Sequence, residues 1–276
     1  MEPAHLEDRA VLAISGPQAR EFLQGLVTND VVGGLAPGSG LYTALLSPQG
    51  KILFDFLVTE GEGALLLDVA RDSAEALLKK LKMYRLRAKV EIELRAPLGV
   101  YVNLTGHPDN RPTPYADRAI TFTDPRLPAL GRRSIGARAE MPANLLGPRG
   151  YHENRIALGV PEGADFGFEK TFALDAGLDE LNGVSFTKGC YVGQELTSRM
   201  KHRATSRKRI LTVTANDALP AVGGNLTRGG ADIGELVSVH GATGFALVRL
   251  DRLEETSGEV RAGEIPVELK KPAWLA

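Results

Sequence analysis

The chain of 276 residues has a single cysteine, Cys190. One thiol excludes an internal disulfide and fits a reducing compartment. It also excludes a permanent iron–sulfur cluster held by this chain alone, since such clusters need several thiolates; a transient or shared cluster stays open. The histidines (His5, His107, His152, His202 and His240) are scattered, so no closed four-ligand zinc site is expected. Surplus charge is lacking too. A formal net charge of −1 gives no global attraction to nucleic acid or anionic lipid and leaves any electrostatic partner to a local patch. No apolar run approaches the ~20 residues of a membrane span. The start, Met-Glu-Pro-Ala-His-Leu-Glu-Asp-Arg, lacks the form of a signal peptide. A cytoplasmic protein with no membrane partner is therefore expected, and the sequons at Asn103 and Asn225 are read as chance. The pairs Gly223-Gly224 and Gly229-Gly230 fit neither a phosphate-binding loop nor a dinucleotide fingerprint, so they are read as turns.

What is present reads as two or three modules. Ala10 to Ile14 is a strand entering a helix, with Ser15-Gly-Pro-Gln18 in the form of a capping box. Leu41–Leu46 and Ile52–Val58 are strands joined by the turn Ser47-Pro-Gln-Gly50. Ala64–Val69 follows, then a helix over Asp72–Met83 with Leu77, Leu78 and Leu81 inward, then strands Ala88–Leu94 and Leu98–Leu104. That β-β-α-β-β order predicts an α+β module with a helix on an antiparallel sheet. Residues 106–150 carry weak periodicity, one or two short strands and a connection. From Lys208 onward the pattern predicts a small all-β sandwich or barrel, with strands Arg209–Thr214, Ile233–His240, Thr243–Leu250 and Ile265–Leu269.

Chemistry concentrates around Cys190. Lys188 lies two residues before it, and Gln194 and Glu195 lie shortly after. A helix over Tyr191–Met200 would put the thiol at a positive helix end, and helix and lysine together would lower its pKa. Nothing nearby supplies the base and oxyanion hole of a cysteine hydrolase. Asp55, Asp68, Asp175, Asp179 and Glu195 are the acids expected nearest a pocket, although each alone is read as a cap or turn residue. The run Arg199-Met-Lys-His-Arg-Ala-Thr-Ser-Arg-Lys-Arg209 holds six Lys or Arg in eleven residues. It reads equally as a solvated linker and as a site for RNA phosphate, a polyglutamate tail or an acidic partner. It has no aromatic residue on which a base could stack.

The segment Phe186-Thr-Lys-Gly-Cys-Tyr-Val-Gly-Gln-Glu195 resembles the signature K-G-C-Y-x-G-Q-E of the YgfZ family, folate-binding relatives of the glycine-cleavage T-protein. Further matches are Phe22-Leu-Gln-Gly-Leu-Val-Thr-Asn-Asp30, Ser47-Pro-Gln-Gly-Lys-Ile-Leu-Phe-Asp55, Tyr84-Arg-Leu-Arg-Ala-Lys-Val90 and Arg155-Ile-Ala-Leu-Gly-Val-Pro161. The resemblance implies a three-domain T-protein-like cloverleaf around a central folate channel, with a C-terminal β-barrel. It implies a discontinuous first domain from 1–46 and 130–204 carrying the cysteine motif, a ferredoxin-like α+β domain at 47–129, and the barrel at 205–276. It further implies a factor that supports assembly or repair of iron–sulfur clusters in client enzymes, tRNA-modifying methylthiotransferases among them, together with iron–sulfur assembly proteins. Tetrahydrofolate or a one-carbon derivative would be the cofactor.

In that reading Cys190 is the reactive thiol, ligating iron or a cluster transiently or attacking an adduct. Lys188 activates it, Gln194 and Glu195 orient thiol and ligand, and Tyr191 joins those two as a cofactor-binding candidate. Asn29, Tyr42, Asp55, Arg87 and Asp175 are candidates for the folate channel. The first alternative is a folate-dependent aminomethyl or one-carbon transferase. Phe54 stands where the T-protein has one of its paired acids, and the T-protein lacks the cysteine signature; both departures count against that alternative. Leu174-Asp-Ala-Gly-Leu178 resembles the segment by which the T-protein contacts its pterin, with Asp175 one methylene shorter than the glutamate there. The second is a tRNA-associated accessory protein using Arg199, Lys201, Arg203, Arg207, Lys208 and Arg209. Whether the chain catalyses a reaction is left open by the residues.

Overall fold

The computed structural model describes residues 3–104, 119–142, 145–203 and 207–275. The chain forms two compact units, one from residues 1–45, 54–154 and 181–192, the other from 46–53, 155–180 and 193–276.

The first unit contains β1 (Ala4–His5), β2 (Arg9–Ser15), α1 (Ala19–Gln24), β3 (Gly40–Leu46), β4 (Ile52–Gly61), β5 (Ala64–Ala70), α2 (Arg71–Arg85), β6 (Glu91–Leu94), β7 (Leu98–Asn103), β8 (Ala119–Thr123) and β9 (Arg132–Ala137). The ends of β3 and β4 nearest their connecting turn belong to the second unit. Five strands form one sheet in the order β3-β4-β5-β2-β6, and four form another in the order β1-β7-β9-β8. β2 is buried from Arg9 to Ile14, a continuous run that suits a strand covered on both faces. Helix α2 packs on β2, β5 and β6 through buried Ala74, Leu77 and Leu81, and β7 lies against β2.

Three expectations fail here for physical reasons. Strand β2, from early in the chain, takes the place between β5 and β6, so β7 leaves the expected module and joins the second sheet. The expected strand Ala88–Leu94 shortens to Glu91–Leu94, because residues 85–90 make successive tight turns. The capping box does not form. Gln18 is the N-cap of α1, without a side-chain cap bond, and its Oε1 instead accepts the Lys89 N–H at 2.7 Å.

Six buried polar groups run through the core of this unit. Arg9 Nε donates to Asp68 Oδ1 at 2.6 Å, and Arg133 Nη1 donates to Asp68 Oδ2 at 2.6 Å. Arg133 Nε and Arg126 Nη2 both donate to Asp124 Oδ2, at 2.9 and 2.7 Å. The Tyr151 hydroxyl accepts from both Arg126 and Arg133. All six side chains are at most 2% exposed. Burial opposes the Arg133 charge, but Tyr151, Asp68 and Asp124 hold its pKa above the ordinary arginine value. Burial likewise opposes ionised Asp124, yet Arg126 and Arg133 hold its pKa below the usual range. Asp68, expected near a pocket, is therefore a core residue that ties β5 to β9.

The second unit is built on α4 (Gln194–Arg203), β10 (Lys208–Ala215), β11 (Asn225–Arg228), β12 (Ala231–His240), β13 (Thr243–Arg249), α5 (Leu250–Glu255), β14 (Val260–Ala262) and β15 (Ile265–Lys270). Helix α3 (Arg149–Ala157) runs from the first unit into it. Its six strands close into an antiparallel barrel in the order β10-β13-β12-β11-β14-β15, which settles barrel over sandwich. β15 returns to β10 in the register Thr212↔Lys270 through Ala215↔Val267. Leu211, Val213, Leu226, Ile233, Leu236, Ala246, Val248 and Ala262 fill the interior. Asp165 fastens the chain before the barrel to β12. It accepts from Arg155 Nη1 at 2.6 Å and from the Ser238 hydroxyl.

Candidate functional site

Two of the sequence motifs are bonded to each other. The loop after α1 supplies Thr28, whose hydroxyl donates to the Gly183 carbonyl at 2.6 Å and whose own carbonyl accepts the Ser185 N–H at 3.0 Å. Asn29 Nδ2 donates to the carbonyls of Tyr42 at 2.8 Å and Asn182 at 2.7 Å. Lys188 then reaches back, and its Nζ donates to the carbonyls of Gln24 at 2.6 Å, Val27 at 2.6 Å and Asn29 at 2.8 Å. An ammonium has three N–H bonds, and here each has a carbonyl. Burial pushes the Lys188 pKa down to about 8, while Asp30 pulls it up. The cage explains the choice of residue: a lysine head satisfies three loop carbonyls that would otherwise be buried without donors.

The donors of Lys188 are committed to the loop, so it fixes the backbone of the cysteine motif and can act on the thiol only through its charge. Helix α4 also begins later than expected, at Gln194, which leaves Cys190 outside the first turn, where a helix dipole acts. Cys190 is exposed. Tyr191 is 7% exposed, with the Lys188 Nζ 5.2 Å from its ring centroid. Glu195 points to solvent and accepts from Arg199 Nη2 at 2.5 Å, one helical turn on. It does not orient the thiol. Gln194 is half-buried at the start of α4. Gly193, with φ +80°, lets the motif touch the Ser47–Gly50 turn. A Cβ there would lie 2.5 Å from the Ser47 oxygen.

Of the folate-channel candidates, the structure brings Asn29, Tyr42 and Asp55 together. Tyr42 is fully buried, and its hydroxyl donates to Asp55 Oδ2 at 3.2 Å. The Arg126 guanidinium lies 5.4 Å from the Tyr42 ring centroid, an arginine sequence reasoning missed because it sits in the weakly patterned stretch 106–150. Asn29 has both amide hydrogens on chain carbonyls and its oxygen on the Asp30 N–H at 2.9 Å, so it acts as a brace. Arg87 is apart from this cluster, exposed in the loop after α2. Asp175 belongs to the second unit, is 6% exposed, and its carbonyl accepts the Ile210 N–H at 3.2 Å.

The cationic run is largely neutralised within its own unit. Lys201 Nζ meets Asp179 Oδ2 at 2.8 Å, Arg209 Nη2 meets Glu180 Oε1 at 3.4 Å, and Arg207 Nη1 lies 3.7 Å from Asp251 Oδ2. Lys208 is exposed at the start of β10. The side chain of Arg203 and residues 204–206 lie outside the described residues. Sequence reasoning missed Glu180, whose signal was two adjacent acids closing the segment Ala173–Leu178. Burial and the neighbouring Asp179 raise its pKa from 4.5 to about 7. Asp179 Oδ1 and Glu180 Oε2 are both buried without another partner among the described residues, and a proton held between them satisfies both. Among the described residues no group of three or more His, Cys, Asp or Glu could hold a metal ion.

The mitochondrial iron–sulfur cluster assembly factor IBA57 of Homo sapiens is 33% identical, over 98% of this chain and 84% of that protein. The chain belongs to the IBA57 family. IBA57 of Mus musculus is 34% identical over 90% of this chain and 78% of its own length. The IBA57 homolog of Neurospora crassa is 35% identical, over 75% of this chain, which spans 52% of that relative. The family model described as "CAF17, C-terminal beta-barrel domain" matches residues 207–276, the segment that forms the closed barrel. A crystal structure of the glycine cleavage system aminomethyltransferase T from Bartonella henselae superposes with a TM-score of 0.74 over 99% of this chain and 86% of that one. At 17% identity that likeness shows the fold alone, and it is the expected T-protein-like α+β fold. Two expectations change. The superfamily read from the cysteine motif stands, but the relatives are IBA57 proteins and not YgfZ proteins specifically. The cytoplasmic location is overturned, because these relatives are named as mitochondrial.

Proposed function

We propose that the chain supports the assembly or repair of iron–sulfur clusters in client enzymes, with tRNA-modifying methylthiotransferases among them, and that Cys190 is the group that contacts the iron or sulfur being handled. The observation that carries this reading is the presentation of the thiol. Cys190 is exposed, while Lys188 beside it is locked onto three carbonyls and Tyr191 is buried. A thiol held on a fixed backbone and open to solvent suits transient ligation of a cluster delivered by a partner protein. The family membership supports the same reading.

Tetrahydrofolate or a one-carbon derivative would be the bound cofactor. Asp55 fits that role: it is a buried carboxylate on β4 that accepts from Tyr42, and a carboxylate is the acceptor that the N–H edge of a pterin ring calls for. Asn29 does not fit, since its amide hydrogens are taken by the chain. A bound folate would supply one-carbon or redox chemistry, and Asp55 and Tyr42 would hold the ring end. Phe54, 6% exposed within β4, provides no second acid for aminomethyl transfer.

The test is complementation of cells lacking the protein with wild type, Cys190→Ser and Asp55→Asn, reading cluster-dependent enzyme activities and thiomethylated tRNA together. Cys190→Ser should melt like wild type and restore neither readout. Full rescue by Cys190→Ser would sink the thiol role. Turnover of a folate one-carbon adduct by the purified chain alone would favour the transferase instead.

A further inference from the structure

The segment Lys79-Lys-Leu-Lys-Met-Tyr-Arg-Leu-Arg-Ala-Lys89 carries six Lys or Arg in eleven residues and no acid. It forms the second half of α2 and the turn beyond it. Leu81 faces the core, so the cations line the outer surface. Lys80 Nζ lies 5.8 Å from the Tyr84 ring centroid. Lys79, Lys82, Arg85, Arg87 and Lys89 make no side-chain hydrogen bond or ion pair with any described residue, which contrasts with the neutralised run at Arg199–Arg209. Clustered like charges repel one another, and these five make no ion pair among the described residues, although Glu75 lies beside Lys79 and Lys82 and Glu91 lies beside Lys89.

Two apolar side chains stand among these cations. Met83 is 65% exposed and Leu86 is 87% exposed. Leu86 also has φ +44° and ψ −106° as the C-cap of α2, a conformation that glycine adopts freely and leucine does not. A strained backbone thus holds a large apolar side chain out in water. Beside it lies an open groove of about 480 Å³ lined by residues 15–17 and 85–91.

We infer that this face docks an acidic segment of a partner protein, carboxylates on Arg85, Arg87 and Lys89 and an apolar side chain against Leu86. Charge complementarity selects an anion, and guanidinium forks favour carboxylates in two-pronged contact. The groove selects an extended chain over a flat lipid surface. A single-stranded nucleic acid would need a stacking ring, and Tyr84, the one aromatic in the segment, is half-buried beside Lys80. Arg87, expected in a folate channel, belongs to this surface. The inference stands on its own observations, so its failure would leave the Cys190 reading untouched.

The experiment measures binding of a fluorescent 12-residue peptide of alternating Glu and Leu to the full-length chain by anisotropy. Wild type should bind, with affinity that falls steeply as salt rises. The double reversal Arg85→Glu with Arg87→Glu should weaken binding by ~10-fold or more. Leu86→Gly should weaken it several-fold while raising Tm, which separates docking from folding. Lys271→Glu, an exposed charge elsewhere, should change nothing. Absence of binding to wild type, equal binding by the double reversal, or tighter binding of phosphatidylserine vesicles or oligouridylate through the same residues would each overturn the inference.

Discussion

The Asp179–Glu180 pair should make the second unit lose stability as pH rises from about 5 to about 8. Burial and the adjacent Asp179 raise the Glu180 pKa from 4.5 to about 7. Between those values the folded chain keeps a proton that the unfolded chain has released. The folded state therefore binds more protons, and stability falls as pH rises through the interval. At ~1.4 kcal/mol per pH unit the full displacement would be ~3.4 kcal/mol. Glu180 is partly open to solvent, and screening reduces the effect to ~1–2 kcal/mol. Asp179 works in the opposite sense. Burial opposes its charge, but Glu180 and Lys201 hold its pKa below 3.8, so its contribution is lost only in stronger acid. In Glu180→Gln the amide takes the place of the protonated acid against Asp179 and does not titrate. Urea denaturation of wild type and variant at pH 5 and pH 8 isolates the group. The two should be close at pH 5, and the variant should be more stable by ~1–2 kcal/mol at pH 8. A difference that is the same at both pH values, or that shrinks with pH, would refute the shared-proton reasoning.

Other perturbations follow from the packing. Gly193→Ala should cost ~2–4 kcal/mol, since φ +80° and the Ser47 oxygen 2.5 Å from the new Cβ both resist it. Gly189→Ala, with nothing within 4 Å, should be nearly silent, and equal midpoints for the two would contradict the close approach. Asp124→Ala would leave Arg126 and Arg133 buried against an absent anion and should cost ~3–5 kcal/mol or abolish soluble expression. Wild-type denaturation behaviour in that variant would show that the network is not maintained by this carboxylate.

Legibility in the sequence followed periodicity. α2 was plain because Leu77 and Leu81 repeat at helical spacing over a long segment, and β10, β12 and β13 were plain because turn glycines bracket them. β11 and β14 were not, since Asn225–Arg228 and Val260–Ala262 are only four and three residues long, with one buried side chain each in Leu226 and Ala262. The insertion of β2 between β5 and β6 is a long-range pairing that no local pattern encodes. At the site, the motif around Cys190 was readable as a reactive segment. The partners of Lys188 were not, because they are main-chain carbonyls of Gln24, Val27 and Asn29, and a carbonyl has no residue identity to read. Asp68 was misplaced for a related reason: an aspartate needed by two distant arginines looks, in sequence, like any other acid.

Trp274 is the sole indole in the chain, with its Nε1–H on the Leu158 carbonyl at 3.0 Å. A Cβ on Gly177 would meet that ring at 2.9 Å and stand 3.8 Å from Glu180 Oε2. Intrinsic fluorescence excited at the red edge therefore watches one of the two compact units and is blind to the other. Where the units melt separately, fluorescence and far-ultraviolet dichroism will return different midpoints. The gap between them measures how strongly the half that carries Cys190 depends on the half that carries the barrel. The same ring is placed to register the Glu180 proton as a shift in emission, without any label.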